Sequence, residues 1–401
     1  MQSILIIGGG FAGVWGALGA ASARKELGGT SDMRITLVSR DPYLTIRPRL
    51  YEADLAEARV PLEPLLGGDG VELIEGEVTR LDPSTRGVTL HGAGGRRTLS
   101  YDRLVLAAGS RLHRPNVSGA AAHAFSVDTY GEAAALGRHL AALPTRPARP
   151  GRFTAVVVGA GFTGLEVATE LLSRLRSLAA RAGAANGAGV VLVERAEVVG
   201  PDLGPNPRPA IEQALRELGV EVRLGTSVAA VGDDGVTLTD GDWVPAATTV
   251  WAGGLRASEL TSHLPVARDD LGRVPVDAYL RVRGADGVLA AGDVARALAD
   301  AEHVAPMSCQ YAIPMGDLAG RNAVAELVGV PPAAFSPPDY VTCLDLGAWG
   351  ALFTQGWDRQ VKLTGLWAKV MKETINTRLI YPPRDIDAAA SALEFEELSV
   401  G

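Results

Sequence analysis

The chain is poor in cysteine and in aromatic residues, and it carries no excess of positive charge. Only two cysteines, Cys309 and Cys343, occur in 401 residues, so we expect no disulfide framework and a reducing compartment. The formal net charge is -8 at pH 7, which argues against nucleic acid as the main partner. Aromatic residues make up 5% of the chain while glycine occurs 48 times, a balance that favours a closely packed α/β protein.

A membrane span and a secretion signal are not predicted either. The residues from Ile4 to Ala21 form an uncharged run of 18 residues, which is long enough to raise the question of a transmembrane helix. However, the run contains six glycines, and no basic segment of the kind found in a signal peptide precedes it. The turn from Gly8 to Gly13 divides the run, so we expect a short strand followed by a helix in a cytoplasmic protein.

Two glycine motifs of the form G-x-G-x-x-G occur in the same local setting. Each follows an apolar strand-like run, 4–7 or 155–158, and each opens a helical segment rich in alanine and leucine. The first glycine of such a motif permits a tight turn, the second lets a pyrophosphate approach the backbone, and the third allows close helix–strand packing. The pyrophosphate then meets the free N–H groups of the helix. The motif residues that we expect to contact a dinucleotide are Gly8, Gly10, Phe11, Ala12 and Gly13 in the first copy, and Gly159, Gly161, Phe162, Thr163 and Gly164 in the second.

The surrounding sequence repeats as well, which indicates an internal duplication. A second strand follows each motif helix, at 34–38 and at 190–193, and an apolar strand with small residues at its end closes each unit, at 104–109 and at 249–254. Two such units predict two bound dinucleotides, and electron transfer between them is the simplest reason for holding both.

The residue that ends the second strand of such a unit contacts the adenosine ribose. In the second unit this residue is Glu194, and its carboxylate would repel a 2′-phosphate, so NADH is favoured over NADPH. The alternative for Glu194 is a solvated carboxylate at a strand end. In the first unit, which we interpret as the FAD site, Ser39 occupies the place and can still bind a ribose hydroxyl. Arg40 beside it would contact the adenosine or its phosphates.

Taken in order, the motifs resemble a known family. The segments GGGFAG, LVLAAGS, GAGFTGLEVATEL, VVLVER, TVWAGGLRAS and VLAAGD are similar to those of the two-dinucleotide flavoprotein disulfide reductase superfamily, and within it to type II NADH:quinone oxidoreductases. The resemblance covers roughly residues 3–325 and implies FAD in the first unit and NADH in the second. It places Ala108, Gly109 and Gly292 at the FAD and Gly253 at the NAD. It also implies that Asp293 hydrogen-bonds the ribityl chain of the flavin, a turn-capping aspartate being the alternative.

The fold class that follows is α/β, with two Rossmann-like dinucleotide-binding domains and a C-terminal α+β cap. The NAD domain is inserted in the FAD domain. We expect residues 1–112 and 265–328 to form the FAD-binding domain and residues 113–264 to form the NAD(H)-binding domain. Residues 329–401 would form the cap, as an interface or a membrane-docking region.

The activity that the resemblance implies is that of an FAD-dependent NADH oxidoreductase. It implies that hydride passes from NADH to flavin N5 and that electrons then pass to an acceptor, with a quinone as the leading candidate. A soluble NADH-dependent flavin reductase of a metabolite or of a small electron-carrier protein is one alternative, and an NADH-sensing flavoprotein is another. The resemblance places Glu166 near the nicotinamide and the flavin, where it would position NADH or move a proton. Its alternative role is an exposed helix pair with Glu170.

Two segments depart from the family pattern. Arg47 and Arg49 replace apolar or amide residues of a flavin-facing loop, and either an anionic acceptor or surface ion pairs would explain them. The helix that begins near residue 308 lacks both glutamines of the Ala-Gln-x-Ala-x-Gln pattern, because Cys309 and Ile313 stand in their places. Gln310 lies one position away. Cys309 is a candidate redox thiol or a small apolar filler; no cysteine precedes it, so the dithiol chemistry of disulfide reductases is excluded. We expect no metal site.

The last expectation concerns partners. The residues Leu363, Leu366, Trp367, Val370 and Met371 follow helical spacing, and Arg359, Lys362, Lys369, Lys372 and Arg378 surround them. A basic amphipathic helix of this kind is suited to an anionic membrane surface. We therefore expect peripheral membrane contact through residues 359–378, on the cytoplasmic face. The alternative is packing of this helix on the flavin domain or on a dimer partner. We also expect a homodimer.

Overall fold

The computed structural model describes residues 2–28, 32–113 and 116–383. The strands of its main sheets are β1 (Gln2–Ile7), β2 (Met33–Ser39), β3 (Val71–Glu75), β4 (Arg103–Leu106), β5 (Ala124–Phe125), β6 (Phe153–Val158), β7 (Ala188–Val193), β8 (Glu221–Arg223), β9 (Thr248–Trp251), β10 (Val288–Ala290), β11 (Val341–Asp345), β12 (Ala351–Gln355) and β13 (Gln360–Thr364). The longer helices are α1 (Phe11–Glu26), α2 (Tyr130–Ala142), α3 (Phe162–Arg181), α4 (Arg208–Leu218), α5 (Cys309–Val328) and α6 (Gly365–Thr374).

The first sheet is parallel throughout and has the strand order β10-β4-β1-β2-β3. The last four residues of β1 and all of β10 are buried. Such continuous apolar runs are typical of parallel strands that are covered on both faces. Strand β10 joins this sheet after the chain has completed the second one, so the second unit is an insertion between strands of the first.

The second sheet repeats the arrangement with the strand order β5-β9-β6-β7-β8, again all parallel. The turns after the two first strands match in detail. Gly8 N–H donates to Val38 O and Gly159 N–H donates to Val193 O, both at 2.8 Å. The predicted duplication is therefore visible in hydrogen bonds, and the predicted α/β class is confirmed.

Helices α1 and α5 cross at a stripe of glycines. A Cβ atom at Gly320 would lie 2.0 Å from Gly16 O, and one at Gly316 would lie 2.2 Å from Ala12 O. Only glycine lets the two backbones approach this closely. The crossing holds the start of α5 against the start of α1, and both starts belong to the predicted flavin site.

The C-terminal part adds an antiparallel sheet, β11-β12-β13, followed by α6 and a π-helical turn (Ile375–Leu379). Leu363, which we expected on the amphipathic helix, lies on β13, because the chain turns at Gly365, the first residue of α6, where φ is 68°. The predicted domain boundaries stay predictions, and residues 384–401 of the predicted cap lie outside the described residues.

Short strands and two short helices complete the description. The strands pair as Tyr43–Thr45 with Arg59–Pro61, Glu77–Asp82 with Gly87–Gly92 and Gly95–Ser100, Ser110–Leu112 with Leu255–Ala257, Val228–Val231 with Gly235–Leu238 and Trp243–Pro245, and Val274–Pro275 with Ala295–Arg296. The short helices are Leu62–Leu66 and Ala120–His123. Among the described residues, no helix has the length and apolar character needed to span a bilayer.

Candidate functional site

Both glycine turns form open cradles at the starts of helices. A Cβ atom at Gly10 or at Gly161 would meet no atom within 4 Å. By contrast, a Cβ atom at Gly13 would lie 1.7 Å from Gly8 O, and one at Gly164 would lie 1.8 Å from Gly159 O. The middle glycine of each motif therefore faces space, and the last one faces backbone.

The first amide groups of both helices lie at these turns and make no bond within their own helix. The first intrahelical hydrogen bond of α1 runs from Val14 N–H to Gly10 O, and that of α3 runs from Leu165 N–H to Gly161 O. Neither helix has a side-chain cap. The preceding amides thus have no acceptor within their own helices and are suited to phosphate oxygens. Phe11, Ala12 and Phe162 lie in these first turns, and Thr163 is exposed there.

Asp293 and the start of α5 converge on the first cradle. A Cβ atom at Gly292 would lie 2.9 Å from Ala12 Cβ and 3.4 Å from Ala312 Cβ. Ser110 Oγ donates to Asp293 Oδ2 at 2.6 Å. Gly292 and Asp293 therefore lie against the first cradle, and Gly109 (φ of 65°) lies in the turn just before Ser110.

Arg47 joins this group through its charge. Its guanidinium lies 2.5 Å from Asp128 and 3.7 Å from Asp293. Arg49 is buried, and it pairs with Glu52 and donates to the hydroxyl of Tyr381. These contacts favour the ion-pair interpretation of both arginines over a free anion site.

The two strand-end residues differ in their surroundings. Glu194 is buried, and its carboxylate accepts hydrogen bonds from Ala160 N–H at 2.8 Å and from Ala196 N–H at 3.0 Å. Ser39 Oγ donates to Asp41 O at 2.6 Å, and Arg40 is exposed. Glu194 is thus fixed at the rim of the second cradle and is not a freely solvated side chain. Gly253 also borders this turn, because a Cβ atom added to Gly159 would lie 3.1 Å from Gly253 Cα.

The start of α5 carries the residues that replace the family glutamines. Burial raises the pKa of the Cys309 thiol to about 11, so the thiol is protonated at neutral pH and is a poor nucleophile. Gln310 donates through Nε2 to Asp339 O at 2.8 Å. The Ser308 hydroxyl is buried without a hydrogen-bond partner within the described structure.

Glu166 is buried and forms an ion pair with a lysine from the far end of the chain. Lys372 Nζ lies 2.8 Å from Glu166 Oε1, and both side chains are less than 10% exposed. Burial raises the pKa of Glu166. Burial opposes the charge on Lys372 most strongly, but Glu166, Cys343 and Asp345 together outweigh it and raise the pKa of Lys372. The two side chains therefore share a strongly held proton in a site that is shielded from solvent. Glu170, one turn further on, is only half-buried.

Comparison with known proteins decides the family. Residues 2–316 match the model for the pyridine nucleotide-disulphide oxidoreductase family. An NADH dehydrogenase-like protein of Mycobacterium tuberculosis is 50% identical over 386 residues, which cover 96% of this chain and 95% of that protein. A type II NADH:quinone oxidoreductase of Staphylococcus haemolyticus is 29% identical over 95% of both chains. This chain belongs to the pyridine nucleotide-disulphide oxidoreductase family.

Solved structures support the same fold. NDH2 from Plasmodium falciparum in complex with NADH superposes with a TM-score of 0.81 at 15% identity, covering 98% of this chain and 97% of that one. The sulfide:quinone oxidoreductase of Aquifex aeolicus gives a TM-score of 0.76 at 21% identity, covering 95% and 91%. At these identities the likeness concerns the fold alone.

The cofactors of this oxidoreductase family are FAD and NADH, and the described residues fit both. Each cradle leaves room beside its middle glycine, which a dinucleotide pyrophosphate requires. The orphaned Ser308 hydroxyl and the uncapped helix starts are polar groups that a bound cofactor would satisfy. No group of three or more His, Cys, Asp or Glu side chains within the described ranges could hold a metal ion.

Helix α6 corrects one part of the sequence interpretation. Lys369 and Lys372 were expected beside a membrane-facing stripe, but both point into the protein, because acidic side chains there pair with them. Leu366, Trp367 and Val370 are 76%, 78% and 55% exposed. We call these three residues the outer face of α6. The exposed apolar surface is therefore narrower than predicted, and Lys369 and Lys372 form ion pairs with interior acids, whereas Lys362 is exposed.

Glu166, Lys372, Lys369, Asp345 and Tyr51 are linked by these contacts, and we call them the inner group. Three of its members were not singled out as site residues. Asp345 ends β11, Tyr51 follows the Arg47–Arg49 turn, and Lys369 precedes Lys372 by three residues. Tyr51 lies 294 positions from its partner Asp345, so no local pattern could link them. The only signal was the spacing of the two lysines, which places them on one helix face.

Proposed function

We propose that this protein is an FAD-dependent NADH oxidoreductase that delivers electrons to a quinone. The observation that carries the proposal is the pair of glycine cradles, which repeat the same geometry in one chain. Two dinucleotide sites without a cysteine pair near the first cradle fit electron transfer between cofactors better than they fit disulfide reduction.

In this proposal the second cradle binds NADH. The amides of Gly161 to Gly164 hold the pyrophosphate, and Glu194 holds the adenosine ribose from the rim. A carboxylate at this place disfavours a 2′-phosphate and so favours NADH over NADPH. The protein thereby orients the nicotinamide, which is the main contribution that a protein makes to hydride transfer.

The first cradle would hold FAD, which supplies two-electron chemistry between nicotinamide and acceptor. Asp293, fixed by Ser110 at 2.6 Å, is in position to bind the ribityl chain. The guanidinium of Arg47 lies 3.7 Å from that carboxylate and would help to hold it in place. The start of α5 would cover the pyrimidine edge with backbone amides, for which the missing glutamine side chains are not required.

A quinone is the acceptor that we favour, for two reasons. The type II NADH:quinone oxidoreductase of Staphylococcus haemolyticus spans 95% of this chain. In addition, a quinone takes up protons as well as electrons, and the buried Glu166–Lys372 pair is a proton-holding group beside the proposed site. The protonated Cys309 makes a thiol-based acceptor reaction less suitable.

The proposal is tested by anaerobic reduction and reoxidation of the flavin band. NADH should bleach the yellow protein, and a short-chain quinone should restore the oxidised spectrum quickly. Glu166→Gln should slow the return by about tenfold or more, whereas the matched variant Glu170→Gln should leave it within about twofold. Fast bleaching with no response to quinone would contradict the quinone assignment and would favour a metabolite or a carrier protein as acceptor.

We also infer that the outer face of α6 gives peripheral membrane contact. Leu366, Trp367 and Val370 expose a compact apolar surface beside cationic Lys362 and Arg378, a combination suited to anionic lipid. Flotation with phosphatidylglycerol vesicles should recover the protein, and Trp367→Ala should reduce recovery. Trp243→Ala is the control, since Trp243 is 52% exposed far from α6 in sequence. Equal recovery of both variants would contradict this surface. The homodimer stays a prediction, and light scattering would measure the molar mass that tests it.

A further inference from the structure

The chain passes between the first and the second sheet twice, and the two passages lie side by side. Ser110–Leu112 lies between β4 and β5, Leu255–Ala257 lies between β9 and β10, and the two short strands pair in antiparallel fashion. We call them the crossing strands. Next to them, Ser258 N–H donates to Gly109 O at 2.9 Å. Two passages of extended chain form a narrow joint, so side-chain contacts beside it help to fix the angle between the units.

Asp128 attaches the second unit to this joint. It lies between β5 and α2, and its side chain is 10% exposed. Its Oδ2 atom accepts a hydrogen bond from Leu112 N–H of the first crossing strand at 3.0 Å. Its Oδ1 atom lies 2.5 Å from the guanidinium of Arg47, which belongs to the first unit. Asp128 therefore contacts the joint with one oxygen and the first unit with the other.

Arg47 extends the connection to the proposed flavin site. Its Nη1 atom donates to Ser110 Oγ at 3.2 Å and lies 3.7 Å from Asp293 Oδ2. A single guanidinium thus lies between Asp128 and Asp293, two carboxylates that come from different units. Without this cation the two acids would repel each other across the joint. Arg47 therefore favours the arrangement in which the units are close together.

Arg59 makes a second contact with the same part of the second unit. Its guanidinium carbon lies 4.0 Å from the centre of the Tyr43 ring and 4.6 Å from that of Tyr130, the first residue of α2. Its Nη2 atom lies 3.0 Å from Asp41 Oδ1. Contacts of a cation with aromatic faces are stabilising. Two arginines of the first unit therefore hold the start of α2, one through Asp128 and the other through Tyr130.

Hydride transfer is sensitive to the placement of the second unit. The reacting atoms must approach to about 3–3.5 Å, and a displacement of about 1 Å can slow a reaction by about a hundredfold. With NADH in the second cradle and FAD in the first, the two reacting atoms belong to different units. A small change in the angle between the units would therefore separate them while each cradle keeps its own shape.

We propose that Arg47 and Asp128 are positioning residues, which hold the second unit at the angle that hydride transfer from NADH requires. Arg47 joins the carboxylate expected at the ribityl chain to the carboxylate that is fixed on the joint. The inference rests on the proposed function, through its assignment of the two cradles, and it is independent of the identity of the acceptor. It gives Arg47 a role that neither an anionic acceptor nor a surface ion pair describes.

The test follows Arg47→Gln and wild type, both loaded with FAD, by anaerobic stopped-flow absorbance. At saturating NADH, bleaching of the flavin band should slow by about tenfold or more, because the reacting atoms are displaced. The dissociation constant of NADH, taken from the concentration dependence, should stay within about threefold because the second cradle is unchanged. Return of the band with ferricyanide should stay within about twofold, because that step needs no nicotinamide.

Three further variants narrow the interpretation. Asp128→Asn should give the same separation of the two steps, although Asp128 is not an expected FAD contact. Its amide keeps an oxygen for Leu112 N–H and loses the charge that pairs with Arg47. Arg47→Lys should recover part of the bleaching rate, since a cation remains between the carboxylates. Arg111→Gln is the matched control, because Arg111 lies on the same crossing strand, is 63% exposed and pairs only weakly with Glu77 at 3.5 Å.

A second readout needs no turnover. Hydrogen–deuterium exchange of the FAD-loaded proteins, without NADH, reports on residues 126–134, which include the start of α2. Their amides should exchange faster in Arg47→Gln and in Asp128→Asn than in wild type and in Arg111→Gln, because the start of α2 has lost its attachment. Identical exchange in all four proteins would contradict the attachment.

The outcomes that overturn the inference differ from a failure of the proposed function. Wild-type bleaching by FAD-loaded Arg47→Gln would overturn it. Loss of FAD from this variant, with wild-type bleaching of the loaded fraction, would show that Arg47 only binds the cofactor. Equal slowing of bleaching and of the return with ferricyanide would indicate a general disturbance and would also overturn it. If the proposed cradle assignment itself is wrong, NADH will fail to bleach the wild-type protein.

Discussion

Glu194 is held at the end of β7 by two amides of the protein itself, and one of them belongs to the glycine turn. Glu194→Ala should therefore raise the KM for NADH by about tenfold, through loss of a charge-assisted ribose contact. The kcat should change less, because that contact is made in both the ground state and the transition state. Steady-state kinetics with saturating acceptor measure both values. An unchanged KM would show that the ribose lies elsewhere.

His139 is a second residue whose environment has a measurable consequence. Burial lowers its pKa from 6.5 to about 4, and cationic Arg146 adds to the effect. The folded state thus favours the neutral ring, so its stabilising effect is complete above pH 6.5 and is lost as the pH falls towards 4. We expect about 1–2 kcal/mol to be lost over this window, less than the full shift implies, because solvent screens the half-buried ring.

The measurement is the thermal midpoint at pH 7 and at pH 4.5. His139→Gln should show a smaller drop between these values than wild type does, because it has no ring to protonate. Exposed His123, changed to Gln, should drop as wild type does. Identical drops for all three proteins would contradict the assignment of this acid sensitivity to His139.

At the scale of elements, each strand–turn–helix unit contains one glycine that leaves space for a ligand and another that lets the helix pack against the backbone. Gly161→Ala places a methyl group in open space at an ordinary φ of -76°, so the melting temperature should stay near that of wild type. The KM for NADH should nevertheless rise by about tenfold or more, since the pyrophosphate needs that space. FAD content should be unchanged.

The matched variants separate the two sites. Gly10→Ala should lower FAD content instead, because its methyl group enters the first cradle. Gly164→Ala should destabilise the fold by about 1–3 kcal/mol or more, because its methyl group meets Gly159 O. Loss of FAD in Gly161→Ala, with normal NADH affinity, would show that the two cradles are assigned in the wrong order.

These elements could be predicted from the sequence because their signals are local. The apolar runs, the glycine spacing and the helical segments all lie within about 25 residues, and strand order follows from the repeated pattern. Helix α6 was predicted less accurately, because the positive φ of Gly365 fixes where strand β13 ends and the helix starts. A spacing rule alone counted Leu363 as helical.

The contacts within the inner group could not be predicted, for a different physical reason. Glu166 and Lys372 stand 206 positions apart (372 minus 166), and each has ordinary neighbours in sequence. Which lysine faces inward depends on the docking of α6 against β11 and α3. That docking is a tertiary event whose energy is spread over many contacts. The sequence shows the lysines but not their partners.

For the whole molecule, the Glu166–Lys372 pair ties the C-terminal helix to the helix that follows the second cradle. Lys372→Met leaves a buried carboxylate unpaired and should cost about 3–5 kcal/mol, which lowers the thermal midpoint by several degrees. The double variant Glu166→Gln with Lys372→Met should recover much of this loss, because it removes the isolated charge. Thermal unfolding of both proteins at pH 7 makes the comparison.

The outcome separates two views of how the parts are joined. If the double variant is more stable than Lys372→Met alone, the ion pair is retained for something other than stability, since an uncharged pair serves the fold nearly as well. A role of Glu166 in the chemistry of the proposed site is then the reason that fits the buried position of the pair. If both variants are equally unstable, the charges chiefly hold α6 against the unit that contains α3, and they fix the orientation of the outer face of α6.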